Sequence, residues 1–422
     1  MSLSNLPNLR LVSCDASRRE PGMMVFNVRP GGTDGGTKAG WIIGIDQGGE
    51  VVLYLKCEAP TQDVRLHPNG NLLFSQPGPG LITEIDRTGK RIRQWHMAGK
   101  WRDKTAPQGS IEIDLIRNSH TVGVLPNGNM LLLSTETREY PDWPGSDTDA
   151  DAATETATLV GDVVAEVAPD GRVEQRWSML DLIDPYRISY GSRRDHWHNR
   201  GIPDSFDWAH ANCAGYDASD DGILVSLRTQ DCIIKFSRAT GELKWILGPP
   251  NNWRAPWAEK LLTPTGPLEW QYHQHDCSVT PTGNVLCFDN GNHRATPFDA
   301  KMPEAECYSR AVEFAIDEAA GTVAQVWSFG EAPGQRLFGC FQGGAYRLPE
   351  TGNTFITYGG IATLDGVPSA NNARGLNRAR LMEVSPSGEV LFDLWVDSGD
   401  RDPPFSLSVF RAEHIPDTGP EA

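Results

Sequence analysis

The sequence predicts an all-β fold: a six-bladed β-propeller with four-stranded blades and long inter-blade loops, taken as one domain over residues 1–422 with 1–22 as an N-terminal extension. Three observations carry this. A hairpin with a glycine turn and a tryptophan on its outgoing strand recurs at Gly89/Trp95, Gly171/Trp177, Gly241/Trp245, Gly321/Trp327 and Gly388/Trp395, with a first copy lacking the tryptophan around Gly48-Gly49. Ahead of these hairpins runs another, closed by Pro-x-Gly-Asn: Pro68-Asn69-Gly70-Asn71, Pro126-Asn127-Gly128-Asn129 and Pro281-Thr282-Gly283-Asn284, with one insertion over 349–353 and Asp220-Asp221-Gly222 in the same slot of another copy. The flanking segments are apolar and β-branched, as in Val163-Val164-Ala165-Glu166-Val167, and no convincing helix lies between them. Two hairpins per repeat give four strands, and radial closure disposes of long sheet edges.

The steps between the tryptophans are 82, 68, 82 and 68 residues, longer than the roughly 40 to 50 of common propeller repeats. The blades therefore carry insertions, over 96–118, 136–158, 180–205, 249–269 and 330–339. Most join the last strand of one blade to the first of the next, so they build a wall or lid over one mouth of the central channel. The acidic, Thr/Ala-rich stretch 136–158 reads as a mobile flap, and a strand near 24–28 reads as a seal joining the last blade.

An apolar fraction of 39% is that of a globular chain, and the net charge of −17 disfavours nucleic acid and anionic membranes as partners. A small anionic substrate needs only a local positive field. There is no apolar run of about 18 residues and no basic-then-apolar leader, so the expected compartment is the cytoplasm. The eight cysteines are scattered without a short metal-binding pair and read as free thiols.

Counting back from the first turn of each blade, His120 lies 8 residues before Gly128, His275 lies 8 before Gly283, and His210 lies 12 before Gly222. Each alone would read as a satisfied polar residue at a strand end. Three in one register, at the top of innermost strands, aim at one axis and form a candidate site. The segment 207–230 adds Asn212, Arg228 and Gln230, because a hairpin returns its two ends to one side. A guanidinium suits a bidentate oxyanion and is repelled by a metal centre, so the set favours transfer or cleavage of an anionic group. His196 and His198, with Arg193 and Arg194, stand in an insertion that could close over the anion; His67, His96, His293 and His414 read as structural.

Asp207-Trp208-Ala209-His210-Ala211-Asn212, Ser226-Leu227-Arg228-Thr229-Gln230, Lys244-Trp245-Ile246-Leu247-Gly248, and Gln274-His275 with Phe288-Asp289-Asn290-Gly291 and Arg294 resemble the bacterial PAPS-independent arylsulfate sulfotransferase family, most closely over about 200–295. The resemblance implies a six-bladed propeller with its site in the central funnel. It also implies a transiently sulfated nucleophile at His275, supporting histidines at His120 and His210, an amide at Asn212 and an arginine at Arg228. The implied reaction is ping-pong exchange of a sulfuryl group between phenols, with no cofactor, no nucleotide donor and no metal. Trp208, Tyr272, Trp253, Trp257 and Phe338 are candidates to sandwich the aromatic ring, and Gln230, His273 and Arg294 to bind substrate. Two other readings stay open at this point. One is a metal-assisted hydrolase or lyase using His120, His210 and His275, with His273 as a further ligand. The other is a non-enzymatic propeller binding a partner on its face.

Overall fold

The computed structural model describes residues 7–31 and 39–417, and its strands fall into six sheets in a β-propeller arrangement. The innermost strands, Val64–Leu66, Ser119–Val124, Ala211–Asp217, His275–Val279, Gly344–Arg347 and Ala412–Ile415, pack side by side around the axis. Only two short α-helices are present among the described residues, Ala98–Trp101 and Met179–Leu182. No described helix is long and apolar enough to cross a membrane.

The expected succession of six uniform four-stranded blades is corrected. Four blades come wholly from consecutive chain and a fifth adds one N-terminal strand to residues 339–397; the remaining sheet is a composite of N- and C-terminal segments. In it, Met23–Pro30 pairs with Gly40–Ile45 on one side and with Ala412–Ile415 on the other. The strand near 24–28 therefore does not join the last blade. That blade is extended instead by Asn8–Cys14, which pairs with Val390–Asp397, so part of the expected N-terminal extension is an outer strand. Sheets also run from four to seven strands, because short insertion strands add in parallel: Ile111–Ile113 to the outer strand of its blade, and Phe206–Asp207 to Glu155–Val167 past the end of Val173–Ser178.

The repeated sequence signals have a common physical purpose. Three of the five outgoing-strand tryptophans tie their blade to the next by a hydrogen bond, whereas Trp177 Nε1 is buried without a partner among the described residues. Trp95 Nε1 donates to Pro169 O at 3.0 Å, Trp245 Nε1 to Glu318 Oε1 at 2.9 Å and Trp327 Nε1 to Pro386 O at 3.1 Å, each acceptor lying in or beside a turn of the following blade. The Pro-x-Gly-Asn asparagines reach a glutamate on the third strand of their own blade. Asn71 bonds Glu84 at 2.6 Å, Asn129 bonds Glu166 at 2.6 Å, Asn284 bonds Glu313 at 2.8 Å and Asn353 bonds Glu383 at 2.8 Å. Where Asp220-Asp221-Gly222 replaces the motif, the matching third-strand residue is Lys235, and polarity is reversed: Lys235 Nζ meets Asp217 at 2.7 Å and Asp220 at 2.9 Å. A buried charge is tolerable only when paired, so the turn and the third strand must change together.

The stretch 136–158 is not a separate flap. It prolongs the hairpin Met130–Trp143 with Glu155–Val167, paired as far as Trp143↔Glu155. Its tip is held by packing: Trp143 is buried and stacks on Phe206 at 5.2 Å. The insertion 180–205 folds over one mouth of the channel and delivers Arg194, His196 and Trp197 to it.

Candidate functional site

The channel mouth opens into a cavity of about 1110 Å³ lined by His120, His196, His210, Arg228, His273, His275 and His293. His275 pairs with Phe288 in the ladder, His120 lies one residue beyond the pair Ser119↔Leu133, and His210 one residue before the pair Ala211↔Leu227. The three histidines therefore fall within one residue of a common rung. Small bulges re-aim them: each innermost strand shifts register here, and His120, His210 and His273 have φ of 52°, 50° and 53°. Left-handed backbone at three non-glycine residues costs about 1 kcal/mol or more apiece and persists where surrounding bonds enforce it. His120 N–H donates to Gln62 Oε1 at 2.9 Å, and His273 N–H to Asp231 Oδ1 at 2.7 Å.

His275 is 2% exposed, and its Nδ1 is 2.7 Å from Asn290 Oδ1. The orientation of the Asn290 amide is fixed by its other end, which donates to the carbonyls of Gly339 and, at 2.9 Å, Gln342. Asn290 therefore presents oxygen to the ring, so Nδ1 carries the proton and Nε2 keeps its lone pair. Nε2 accepts only a long 3.3 Å bond from Gln342 N–H. Burial, and then the nearby Arg228 guanidinium, hold the His275 imidazolium well below the ordinary histidine range. The result is a neutral imidazole whose unprotonated Nε2 is held at the cavity by one long bond.

His210 Nδ1 lies 2.7 Å from Asp207 Oδ2, whose other oxygen accepts from Trp197 Nε1 at 2.8 Å. Burial alone would raise the Asp207 carboxyl; His210 overrides it and holds it below the usual range. The dyad thus directs the second nitrogen of His210 away from the carboxylate. The His210 ring packs edge-on against His120 and His196, each at 4.9 Å between centroids. His120 Nδ1 is buried with no hydrogen-bond partner among the described residues, and burial with His210 and His275 keeps that ring neutral. Arg228 is 5% exposed; its Nη2 donates to Cys340 O at 3.3 Å, and burial with Arg194 lowers it to about 10.

Several expected site residues lie elsewhere. The Asn212 amide is fully buried and engaged with the neighbouring innermost strand: Nδ2 donates to Gln274 O at 2.8 Å and Oδ1 accepts from Asp276 N–H at 3.3 Å. It braces the strand that carries His275 and does not line the cavity. Trp208 is a core residue whose Nε1 donates to Arg187 O, and Gln230 is held between Trp208 O and Arg187. Tyr272 does not line the cavity, and burial pushes its phenol up to about 12. Arg294 pairs with Glu269 at 2.8 Å and Asp289 at 3.1 Å and covers the Tyr308 ring. Trp253 packs under Arg187, Trp257 bonds Leu182 O, and Phe338 sits in a core cluster. Among the expected candidates, His273 does line the cavity, with Nδ1 3.2 Å from Asp231.

The residues whose roles the sequence left unassigned are those that orient others. Asp207 stands three residues before His210 in the motif quoted above, a spacing that was the available signal, whereas Asn290 lies 15 residues after His275 and only its place in the quoted motif marked it. His293 also lines the cavity and is lowered to about 3, by burial first and then by His273. Of the insertion group, Arg194 and His196 reach the cavity, whereas Arg193 turns to Glu155 and His198 is exposed.

The floor is a charged layer. Arg411 Nη1 lies 2.8 Å from Asp276 Oδ1, its Nη2 donates to Asn212 O at 2.7 Å, and its Nε is 3.5 Å from Asp63. Arg65 joins Asp63, Asp276 and Glu413. Below it is a separate cavity of about 430 Å³ that shares no lining residue with the first.

Fold and site together define a β-propeller whose axial cavity gathers neutral imidazoles around a buried guanidinium. The chain belongs to the arylsulfotransferase (ASST) family, whose family model matches residues 12–402. It is similar to arylsulfate sulfotransferase AssT of Escherichia coli O6:H1 (strain CFT073), 31% identical over 222 residues, 43% of this chain and 36% of that protein. It is also similar to arylsulfate sulfotransferase AssT of Lelliottia amnigena, 32% identical over 220 residues, 42% of this chain and 36% of that one. The match thus spans about a third of the length of these curated relatives. A protein of unknown function from Bacteroides caccae is similar in structure at a TM-score of 0.48 and 14% identity, covering 93% of this chain and 99% of that one.

Proposed function

We propose that the protein transfers a sulfuryl group from an aryl sulfate to a phenolic acceptor through a sulfohistidine at His275. The observation that carries this reading is the tautomer imposed on His275 by Asn290, which leaves Nε2 unprotonated at the cavity. Nε2 attacks sulfur and forms the N–S bond as the S–O bond to the aryl group breaks. The departing phenolate takes the Nε2 proton of a His210 imidazolium, whose Nδ1–H Asp207 holds, and leaves His210 neutral. An acceptor phenol then returns a proton to His210 and attacks sulfur, and the N–S bond breaks. Arg228 faces the sulfuryl oxygens, where a positive charge in a water-poor site stabilises the transition state most.

The test uses 4-nitrophenyl sulfate with and without phenol. The expected result is phenol-dependent nitrophenol release and an adduct of about 80 Da on His275 when the acceptor is withheld. Full transfer by a folded His275→Ala variant would overturn the assignment.

A metal-assisted hydrolase has one observation in its favour: ligand atoms of His196, Asp207 and His210 lie within 4.8 Å of one another. This differs from the trio His120, His210 and His275 expected for such a centre. Burial first, then His210, Arg200 and Arg194, weigh against the His196 imidazolium, while the Asp207 carboxylate favours it, so two nearby guanidinium groups would have to be tolerated by a divalent cation there. Retained transfer after exhaustive chelation favours the histidine nucleophile; loss that zinc restores favours the metal.

A further inference from the structure

The cavity collects cations far beyond what one sulfuryl group requires. In a chain of net charge −17, its lining includes Arg29, Lys100, Arg117, Arg194, Arg200 and Arg228. Arginines elsewhere in the fold, such as Arg19, Arg65, Arg238 and Arg310, are matched to carboxylates. Among the described residues, none of these six takes part in an ion pair. Arg29 meets only a neutral amide, that of Gln342, oriented so that both of its polar atoms are satisfied. Arg117 donates weakly to Arg200 O at 3.4 Å and covers the Trp197 ring, while its Nε is buried without a partner. Arg200 donates to His196 O. The two acids that line the same cavity, Asp195 and Glu304, pair with none of the six, and Glu304 is engaged by Ser369 and Ala370.

The six fall into two neighbourhoods joined through Arg200, whose own charged neighbours are Asp207 and Arg194. Arg228 and Arg194 influence one another beside His275 and His273. Arg29, Lys100, Arg117 and Arg200 form the other group: burial and then Arg200 lower Arg29 to about 10, burial and Arg200 lower Arg117, and burial and Arg117 lower Lys100. Burial is the larger cost for each of these cations, the neighbouring cation adds to it, and an anion bound between them relieves both. One group serves the transferred sulfuryl. The second is surplus to it.

We infer that Arg29, Lys100, Arg117 and Arg200 form a second anion subsite, so that the preferred substrate is an aromatic sulfate carrying an additional anionic group on its ring. This rests on the reading of the cavity as the substrate site. The shared chemistry is a fixed negative charge, as a carboxylate, a second sulfate ester or a phosphate.

The test is binding of unreactive sulfonates, which have no S–O–aryl bond to break, so its outcome is independent of whether His275 becomes sulfated. Benzenesulfonate, benzene-1,3-disulfonate and 3-sulfobenzoate are titrated by calorimetry at low and high salt. The expected result is that both dianions bind about tenfold or more tighter than benzenesulfonate at low salt, a preference of about 1.4 kcal/mol, and that salt erodes it. Preference for only one dianion identifies which charged group the subsite takes. Lys100→Met and Arg117→Ser, both at partly exposed positions, each shrink the preference severalfold and leave benzenesulfonate affinity near its original value. Equal affinity for mono- and dianions, or a preference that survives both substitutions combined, would overturn the inference. Sulfation of His275 in that event would leave the proposed reaction standing without the second subsite.

Discussion

His275 Nδ1 and Asn290 Oδ1 are 2.7 Å apart, and this one contact decides which nitrogen of the buried imidazole carries the proton. Asn290→Leu removes the bias while keeping the volume. The expected loss in kcat/KM for 4-nitrophenyl sulfate is about ten- to a hundredfold, without a matching loss in sulfonate binding. Asn290→Asp puts a carboxylate against Nδ1 and favours the imidazolium, so its activity loss is expected to be largest in acid and to recover as pH rises. A pH profile parallel to wild type would count against a positioning role for Asn290.

Asp207 bears the same relation to His210. Asp207→Asn is expected to lower kcat by roughly a hundredfold or more, by losing the preferred tautomer. The loss should grow as the leaving phenol becomes more basic, because such phenolates depend most on proton donation. Equal losses across a series of substituted phenyl sulfates would remove His210 from the proton-transfer step.

Acid stability follows from the buried imidazoles. His120 and His275 are held well below the ordinary range, His273 is lowered, and His196 and His293 are lowered to about 3, all chiefly by burial. Unfolded histidines titrate near pH 6.5, so below that pH the unfolded chain binds more protons than the folded one. Stability is therefore expected to fall as pH drops from about 6.5 toward 5. For fully buried His275 the slope approaches about 1.4 kcal/mol per pH unit. Urea midpoints at pH 7, 6 and 5 test this. His275→Gln should flatten the slope, and an unchanged slope would show that other groups dominate.

The reversed rung at Lys235 makes a stability prediction far from the site. Lys235→Glu places a fourth carboxylate among Asp217, Asp220 and Glu318 and is expected to cost about 3 to 5 kcal/mol. Lys235→Met should cost less than Lys235→Glu. Combining Lys235→Glu with Asp217→Asn and Asp220→Asn, which imitates the other blades, should restore part of the loss in chemical denaturation.

The features legible in the sequence are those with local causes. Turns at Gly70, Gly128 and Gly283 and tryptophans four to seven residues after a glycine revealed repeated hairpins, because strand pairing recurs in each unit. The register of His120, His210 and His275 could be counted from those turns for the same reason. The role expected of Asn212 did not hold, because spacing cannot say whether an amide at the top of a strand faces the axis or the neighbouring strand. Gln230 and Trp208 lie close in sequence to Arg228 and His210 but turn into the core. The chain-end sheet was mis-joined because its pairing is set by closure of the whole ring. The group Arg29, Lys100, Arg117 and Arg200 is drawn from distant segments and shares no pattern.

The composite sheet has a consequence for assembly during synthesis. Asn27 Oδ1 accepts from Phe410 N–H across 383 residues of chain, and the next residue, Arg411, supplies the guanidinium of the charged floor. Until residues 410–415 emerge, the first sheet lacks its innermost strand and Asp63 and Asp276 lack the Arg411 guanidinium. The ring and the floor of its cavity are therefore completed by the same late event, with the largest loop closure in the molecule. An interrupted chain would expose an open sheet edge to other strands or to proteases and would lack a finished site, so incomplete products are expected to be inactive as well as short-lived.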